Sequence, residues 1–284
     1  MNKKIIITLP AYNEEKNIGI VVSKIKKVIP TAQILVIDDG SKDYTAKIAK
    51  EAGATVVSFA ANRGLVAAFK AAKKNALLMG ADIILNMDAD GQHRPEDIHL
   101  VLKPLLDNKA DVVIGSRFKG KIKKKSLIKY VGNIMFSKLI SSLTRQRITD
   151  AQSGFRAYTR EVAEHLEIKT GHTYTQQMLI QAAYHKFKII EVPIIENVRR
   201  YGTSKVVKNP FTFAYKAGNL LLSVLAIYHP IKFFGTSGFL LMLIGLIIGL
   251  IFSGRNVLSS LIIMIGFQFI LFGVLFEIIK KNKS

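Results

Sequence analysis

The chain has 284 residues, with 41 Lys and Arg against 20 Asp and Glu, which gives a formal net charge of +21. So basic a charge indicates a polyanionic partner, for which nucleic acid and an acidic membrane surface are the usual choices. The sequence contains no cysteine, which excludes disulfides and thiolate metal sites. The length allows one sizeable core and an appendage.

Residues 3–115 alternate short aliphatic runs with longer amphipathic segments. The aliphatic runs predict strands at Ile5–Leu9, Ile34–Ile37, Thr55–Ser58, Ile83–Met87 and Val112–Ile114. The amphipathic segments predict helices at Asn17–Val28, Tyr44–Glu51, Leu65–Met79 and Asp97–Leu106. This alternation indicates an α/β fold with a mostly parallel sheet, in which ligands bind beyond the carboxyl ends of the strands.

The pattern changes after residue 118. A lysine cluster opens the segment Lys119–Thr144, which continues with apolar residues at helical spacing. A helix is predicted around Tyr174–Ala183 and a strand at Phe187–Ile195. Residues 209–228 predict an amphipathic helix that lies at a membrane interface.

Two uncharged apolar stretches near the C-terminus, residues 233–252 and 257–276, are each long enough to cross a bilayer. The alternative is a pair of buried helices in a soluble protein, although such helices usually keep a polar stripe. Basic residues flank the pair, at Lys205, Lys208, Lys216, Lys232, Lys280, Lys281 and Lys283. The positive-inside rule therefore places both termini in the cytoplasm. We expect a cytoplasmic domain at 1–205, an interfacial helix at 206–230 and a membrane hairpin at 231–284.

Polar residues follow every predicted strand of the first half, and the fourth strand ends in the acidic segment "DADGQH". If the chain stays extended there, Asp88 and Asp90 point to one side and Gln92 adds a neutral oxygen. Such an oxygen set suits Mg²⁺ or Mn²⁺. The alternative is a solvated turn built on Asp90-Gly91.

Five motifs occur in a fixed order: "PAYNEE" (10–15), "DDGSKD" (38–43), "DADGQH" (88–93), "GSRF" (115–118) and "DAQSGFR" (150–156). Together they resemble the family-two glycosyltransferases, and more narrowly the dolichyl-phosphate mannose synthase group that carries a C-terminal membrane hairpin. The resemblance covers essentially the whole chain. It implies a GT-A-type nucleotide-sugar-binding domain.

The resemblance also implies which residues meet the sugar donor. Pro10, Ala11, Tyr12 and Glu14 would line the nucleoside site, and Asp39 would hold the base or ribose while Asp38 supports its loop. The metal site would comprise Asp88, Asp90 and Gln92, with Asp90 the surest ligand.

On the acceptor side, Arg117 would meet a phosphate, its alternative being a surface salt bridge. The family places an arginine near residue 130, where this chain has Lys129, with Asn133 and Ser137 as possible substitutes. Asp150 would position the acceptor or the sugar.

Three further groups of residues fall near this acceptor site. Gln152, Ser153 and Arg156 would shape the loop that follows Asp150. Arg200, Ser204 and Lys205 would contact the diphosphate from a closing loop, or serve as a plain basic anchor beside the membrane. The lysines at 121, 123, 124 and 125 suit an anionic lipid head group or form a solvated cluster.

These residues predict a metal-dependent, inverting transfer of one sugar from a nucleotide sugar, with GDP-mannose favoured, to polyprenyl or dolichyl phosphate. UDP-glucose or UDP-N-acetylglucosamine as sugar donor, and transfer onto a lipid-linked sugar, are the enzymatic alternatives. A basic membrane-tethered binding module is the non-enzymatic one. We expect no nucleic-acid partner, because no aromatic-interleaved basic platform is present.

Overall fold

The computed structural model describes residues 3–121, 127–168, 174–197, 230–251 and 257–281, together with residues 218, 222 and 226. The chain divides into two compact units, Met1–Lys205 and Val206–Ser284. The predicted interfacial helix at 206–230 falls almost wholly outside the described residues.

Within the described residues, seven strands form one sheet in the order β3-β2-β1-β4-β6-β5-β7. Their bounds are β1 Ile5–Ala11, β2 Gln33–Asp38, β3 Thr55–Ser58, β4 Ile83–Asn86, β5 Val112–Lys121, β6 Arg156–Thr159 and β7 Ile189–Ile195. Four neighbouring pairs run parallel, and β6 runs antiparallel to both β4 and β5. The predicted α/β fold with a mostly parallel sheet is confirmed.

Two features of the sheet differ from the sequence prediction. The short strand β6 was not predicted, because four residues that begin with a charged arginine lack an aliphatic run. Strand β5 continues to Lys121, so Arg117 lies within a strand and not in a loop after one. The pairing of β5 with β7 carries this extension, with an irregularity in register between Ser116 and Lys121.

The first unit contains seven α-helices among its described residues. They are α1 Glu15–Val28, α2 Thr45–Glu51, α3 Leu65–Leu78, α4 Ile98–Leu106, α5 Leu127–Thr144, α6 Arg160–His165 and α7 Tyr174–Tyr184, and a 3₁₀ turn at Pro95–Asp97 precedes α4. Alternate residues of β1, such as Ile7 and Leu9, pack with Ile18 of α1 and Val101 of α4 in the core. This packing buries the apolar stripes of α1 and α4 against the sheet.

The second unit contains a helical hairpin formed by α8 (Pro230–Ile251) and α9 (Val257–Lys281). Both helices are long and apolar enough to cross a membrane; an 18-residue stretch of each has a mean hydropathy of 2.3 or 2.5, and 11% of that stretch is buried. Helices in a soluble core would be mostly buried, so this low burial weighs against that alternative.

Small residues bring the two hairpin helices together. A Cβ atom added to Gly238 would lie 2.4 Å from the carbonyl oxygen of Gly266, so the backbones approach more closely than any side chain would allow. Ser259 adds a hydrogen bond from its Oγ to the carbonyl oxygen of Gly245, at 2.7 Å. Close approach at small residues is a common means of packing membrane helices.

Gly40, which follows β2, provides a stability test. Its φ is +69°, and an added Cβ would lie 2.4 Å from the backbone carbon of Ala61. Gly80 has a similar φ of +83°, but an added Cβ would meet only the Lys4 side chain, at 3.9 Å. We expect Gly80→Ala to cost about 1–2 kcal/mol, the usual penalty of a left-handed alanine. Gly40→Ala should cost more, because the Ala61 backbone must also move.

The measurement is the midpoint of thermal unfolding for the full chain and both variants in detergent. Equal midpoints for Gly40→Ala and Gly80→Ala would show that the Ala61 backbone moves aside at no cost in the free energy of unfolding.

Candidate active site

Strands β1 and β2 end side by side at the carboxyl edge of the sheet. Ala11 pairs in parallel register with Asp38, and the Asp39 amide donates to the Ala11 carbonyl oxygen at 2.8 Å. Pro10 and Tyr12 flank Ala11 and are half-buried. The structure therefore places the "PAYNEE" segment beside "DDGSKD".

Hydrogen bonds join these two loops. Asn13 adopts a φ of 52°, and its amide donates to Ser41 Oγ at 2.9 Å. The Glu14 amide donates to Thr45 Oγ1 at 2.8 Å, and Glu14 Oε2 accepts from Asn17 Nδ2 at 2.8 Å. Glu14 thus helps to hold the start of α1, and its predicted contact with a nucleoside stays a prediction.

Asp39 is held by the loop that follows β3. It is only 5% exposed, and its Oδ1 accepts from the Arg63 amide at 2.7 Å. Its Oδ2 accepts from the Gly64 amide at 2.9 Å and from Asn62 Nδ2 at 3.0 Å. The carboxylate therefore has a fixed position at the sheet edge, where a base or ribose contact was predicted.

The segment from Asp88 to Gln92, which we call the acidic turn, does not continue the strand. Strand β4 ends at Asn86, Gly91 has a φ of 76°, and Asp90 Oδ1 accepts from the Gln92 amide at 3.0 Å. The chain does not stay extended here, so the condition under which Asp88 and Asp90 would point to one side is not met. The physical reason is that aspartate bonds readily to the backbone two residues on, and that glycine supplies the positive φ that a tight turn needs.

Asp88 packs against the segment that follows Asp150. The Asp88 amide donates to His93 Nδ1 at 3.2 Å, and the buried His93 ring stacks on Phe155 with centroids 5.0 Å apart. A Cβ added to Gly154 would lie 3.1 Å from Asp88 Oδ1. Because Gly154 has no side chain, there is room beside it for the Asp88 carboxylate, which is 43% exposed.

Arg117, Asp150 and Glu196 form a second cluster, which we call the arginine–carboxylate cluster. Arg117 donates to Asp150 from Nε at 2.7 Å and from Nη2 at 2.8 Å, a bidentate pairing. Its Nη1 donates to Glu196 at 3.3 Å. The side chains are 14%, 0% and 8% exposed for Arg117, Asp150 and Glu196. Arg117 therefore does form a salt bridge, the alternative considered for it, but a buried one and not one at the surface. Its predicted contact with an acceptor phosphate stays a prediction.

The pairing shifts the pKa values of both partners. Burial by itself would raise the pKa of Asp150, but the hydrogen bonds and charge of Arg117 outweigh it, so the pKa is lowered. Burial would also lower the pKa of Arg117, but Asp150 and then Glu196 raise it. Both groups are charged at neutral pH, and Asp150 is a poor proton acceptor.

A buried glutamate of β7 holds the loop of Asp150. Glu191 Oε1 accepts from the amides of Thr149 and Asp150, at 2.7 and 2.9 Å. Ser137 Oγ accepts from the amide that follows Asp150, at 3.0 Å. Asn133 Nδ2 lies 3.5 Å from Asp150 Oδ1. The two residues proposed as substitute phosphate contacts, Asn133 and Ser137, thus lie beside Asp150 and are themselves buried.

Arg156 shapes the loop from within. It is 1% exposed, and its guanidinium donates to the carbonyl oxygens of Ser153 (2.6 Å), Ala151 (2.7 Å) and Thr175. Burial lowers the pKa of Arg156 to about 10. Because every one of these contacts is to main chain, Arg156 fixes the fold of the segment that carries Asp150.

The acidic turn and the arginine–carboxylate cluster meet at the end of β7. Glu196 forms an antiparallel bridge with His93, and the Asn197 amide donates to the Gln92 carbonyl oxygen at 2.8 Å. The residue whose side chain contacts Arg117 is therefore fixed, through its main chain, to the acidic turn.

Several predicted site residues lie outside the part of the chain that the structure describes. Arg200, Ser204 and Lys205 and the lysines at 123, 124 and 125 lie outside the described residues, as do the side chains of Lys121 and Lys129. Gln152 is half-buried, between Ala151 and Ser153. Their predicted contacts with phosphate or lipid stay predictions.

The oxygen donors of the acidic turn are of the chemical kind that Mg²⁺ and Mn²⁺ prefer. Asp88, Asp90 and Gln92 offer hard oxygen ligands, and the Asp88 side chain is 43% exposed. No group of three or more His, Cys, Asp or Glu side chains among the described residues could hold a metal ion. A site with two carboxylates is nevertheless ordinary for Mg²⁺, which commonly takes its remaining ligands from substrate phosphates and water.

Four residues of this region were not assigned a role from the sequence: His93, Gly154, Glu191 and Glu196. Glu191 is the most readily found, since a carboxylate at a buried position of an apolar strand requires a partner. Glu196 and Gly154 carry no such signal, because each acts on a residue far away in the sequence.

Comparison with known proteins places the chain in a family. The family described as Glycosyl transferase family 2 matches residues 6–167. A UDP-N-acetylglucosamine–dolichyl-phosphate N-acetylglucosaminyltransferase of Methanococcus voltae is 35% identical over 68% of this chain and 85% of its own length. A polyprenol monophosphomannose synthase of Mycolicibacterium smegmatis is 31% identical over 72% of this chain and 81% of its own.

Among solved structures, glucosyl-3-phosphoglycerate synthase of Mycobacterium tuberculosis, in complex with Mn²⁺, UDP and glucosyl-3-phosphoglycerate, superposes with a TM-score of 0.60. It is 20% identical and covers 79% of each chain, which shows a shared fold. The fold and the family match together define a GT-A-like glycosyltransferase. This chain belongs to glycosyl transferase family 2, as the ordered motifs predicted.

The buried pair predicts how stability depends on pH. The pKa of Asp150 is lowered in the folded protein, so its ionised carboxylate stabilises the fold. This contribution to the free energy of unfolding is complete above the unfolded-state pKa of about 3.9 and is lost as the pH falls below that value. Asp150→Asn should cost about 3–5 kcal/mol at neutral pH, since it leaves Arg117 buried without its bidentate partner. It should also abolish this part of the acid dependence.

The measurement is the thermal unfolding midpoint between pH 7 and pH 3. Asp107→Asn is the control, because Asp107 pairs with Lys109 at the surface and should contribute about 0–1 kcal/mol. Matching profiles for the two variants would contradict a structural role for the Asp150 pair.

Proposed function

We propose that this glycosyltransferase transfers one sugar from a nucleotide sugar to the phosphate of a polyprenyl or dolichyl phosphate. The observation that carries the proposal is the junction at the end of β7, which ties the acidic turn to the arginine–carboxylate cluster. A diphosphate held at the acidic turn and a phosphate near Arg117 would then be adjacent. The relatives whose names include dolichyl-phosphate and polyprenol support the same acceptor.

Asp88, Asp90 and Gln92 would hold Mg²⁺ or Mn²⁺. When bound, the cation supplies positive charge to the departing nucleoside diphosphate. Structures of glucosyl-3-phosphoglycerate synthase in complex with Mg²⁺ and UDP, and with Mn²⁺ and UDP, support this assignment through the shared fold. The Asp90 side chain is also part of the turn itself, so its position is set before any ligand arrives.

The acceptor needs no catalytic base. A phosphate monoester has a second pKa near 6, so it is largely dianionic at neutral pH and already nucleophilic. One phosphate oxygen would form a bond to the anomeric carbon while the bond from that carbon to the nucleoside diphosphate breaks, which inverts the configuration. This accords with Asp150, whose lowered pKa and bidentate contact with Arg117 suit positioning and not proton removal.

Mannose from GDP-mannose is the proposed sugar, and the likeness to the polyprenol monophosphomannose synthase supports it. N-acetylglucosamine from UDP-N-acetylglucosamine is a second candidate, favoured by the 35% identity to the Methanococcus voltae enzyme. The two relatives name different sugars, so a direct comparison of sugar donors is needed.

A panel of sugar donors tests the reaction. Membranes that contain the full chain receive polyprenyl phosphate with radiolabelled GDP-mannose, UDP-glucose or UDP-N-acetylglucosamine, with and without EDTA. We expect one sugar donor to label a mild-acid-labile glycolipid, with the label lost in EDTA and restored by Mg²⁺ or Mn²⁺. Asp90→Ala should lower the rate at least about a hundredfold, because loss of one preorganised group at the departing charge costs that much.

Glu96→Ala is the matched control, since Glu96 is an exposed carboxylate beyond the acidic turn and pairs only loosely with Arg94. Its rate should equal that of the wild type. Labelling that persists in EDTA would contradict the proposed metal dependence. Absence of labelled lipid with every sugar donor would contradict polyprenyl phosphate as the acceptor.

For membrane placement we propose a catalytic unit of residues 1–205 and both termini in the cytoplasm, an interfacial segment at 206–230 and a hairpin at 231–284. The basic residues that flank the two helices support this orientation. The chain has no cysteine, so single cysteines can report on it. A membrane-impermeant maleimide should label Ser253→Cys in intact cells, but should label the control Lys103→Cys only after the cells are permeabilised. Labelling of Lys103→Cys in intact cells, and of Ser253→Cys only after permeabilisation, would show the opposite topology.

A further inference from the structure

The three members of the arginine–carboxylate cluster carry unequal charge, and the buried Arg156 adds a further positive charge that acts on Asp150. Arg117 contributes one positive charge, whereas Asp150 and Glu196 each contribute one negative charge, and all three side chains are largely buried. A phosphate dianion that approaches Arg117 therefore meets two carboxylates already bound to it. Like charges that come into close contact repel strongly where little solvent is present to screen them.

Arg117 does not bind the two carboxylates equally. Asp150 accepts two hydrogen bonds from Arg117, at 2.7 and 2.8 Å, and its loop is fixed by Glu191 and Ser137. Glu196 accepts from Nη1 at 3.3 Å, a longer contact. Bidentate charge-assisted pairs are the stronger class. The contact with Glu196 is thus the one that an incoming anion would replace.

The main chain of Glu196 keeps its carboxylate near the guanidinium. Its bridge with His93 and the hydrogen bond from Asn197 to Gln92 fix the end of β7. The contact with Arg117 therefore belongs to the fold and is not a chance meeting of two surface side chains.

From this geometry we infer that Glu196 occupies the position on Arg117 Nη1 that the acceptor phosphate takes, so that binding of the acceptor displaces the Glu196 carboxylate. This inference rests on the proposed function, which supplies the phosphate. Glu196 would satisfy the buried guanidinium in the absence of acceptor and would weaken the binding of free phosphate. A lipid phosphate has its hydrophobic tail as a second source of binding energy, whereas inorganic phosphate has none.

The test uses Glu196→Gln, which keeps an oxygen acceptor of the same shape and removes the charge. We expect the acceptor KM to fall about tenfold, the scale of one removed like charge near a phosphate, while kcat changes little. Inhibition by inorganic phosphate should become stronger by a similar factor. Glu164→Gln is the control, because it removes the same charge from an exposed pair with Arg160 and should alter neither value.

The split between KM and kcat separates this role from a structural one. If Glu196 only positioned Arg117, Glu196→Gln would lower kcat or raise the acceptor KM, and inhibition by inorganic phosphate would not increase. Either result overturns the inference. Glu196→Ala should shift the acceptor KM and the inhibition by inorganic phosphate in the same direction as Glu196→Gln. Failure of both variants to fold would assign Glu196 a structural role and would also overturn the inference.

Failure of the proposed function gives a different pattern. If wild-type membranes transfer no sugar to polyprenyl phosphate, the acceptor proposal is wrong. The effect of inorganic phosphate on the thermal unfolding midpoint then still tests Glu196. A larger stabilisation of Glu196→Gln than of the wild type would support displacement by an anion, and equal stabilisation would overturn it.

Discussion

The bidentate pair between Arg117 and Asp150 is the interaction on which the site depends. A fully buried carboxylate is costly unless it is paired and hydrogen-bonded, and here the guanidinium, the amide of Arg117 and the side chains of neighbouring elements satisfy it. The pair joins β5 to the segment before β6. Glu196 extends it to β7 and, through His93, to the acidic turn.

The direction of β6 explains why that segment reaches the site at all. Arg156, the first residue of β6, pairs with Asn86 at the end of β4 and with Ile114 of β5. An antiparallel strand brings the residues before it to the edge where the parallel strands finish. Asp150 and Gly154 precede β6 and therefore lie among groups that otherwise come from strand ends.

The two units are stabilised by different kinds of packing. The sheet buries aliphatic strands beneath amphipathic helices, whereas the hairpin has no such hydrophobic drive in lipid and relies on close approach at Gly238, Gly245 and Gly266. The structure uses these small residues within the hairpin, where they leave the long apolar side chains facing outward.

The sequence by itself determined most of the helices and strands and the family. Aliphatic runs and helical spacing located β1 to β5 and α1 to α4, because local periodicity specifies such elements. The ordered motifs identified the family and the acidic turn. What only the tertiary structure decided were the contacts between distant segments: the bidentate hold of Arg117 on Asp150, the antiparallel β6, and the position of Glu196. Partners 33 and 79 residues apart are set by sheet order and long-range packing, which no local pattern records.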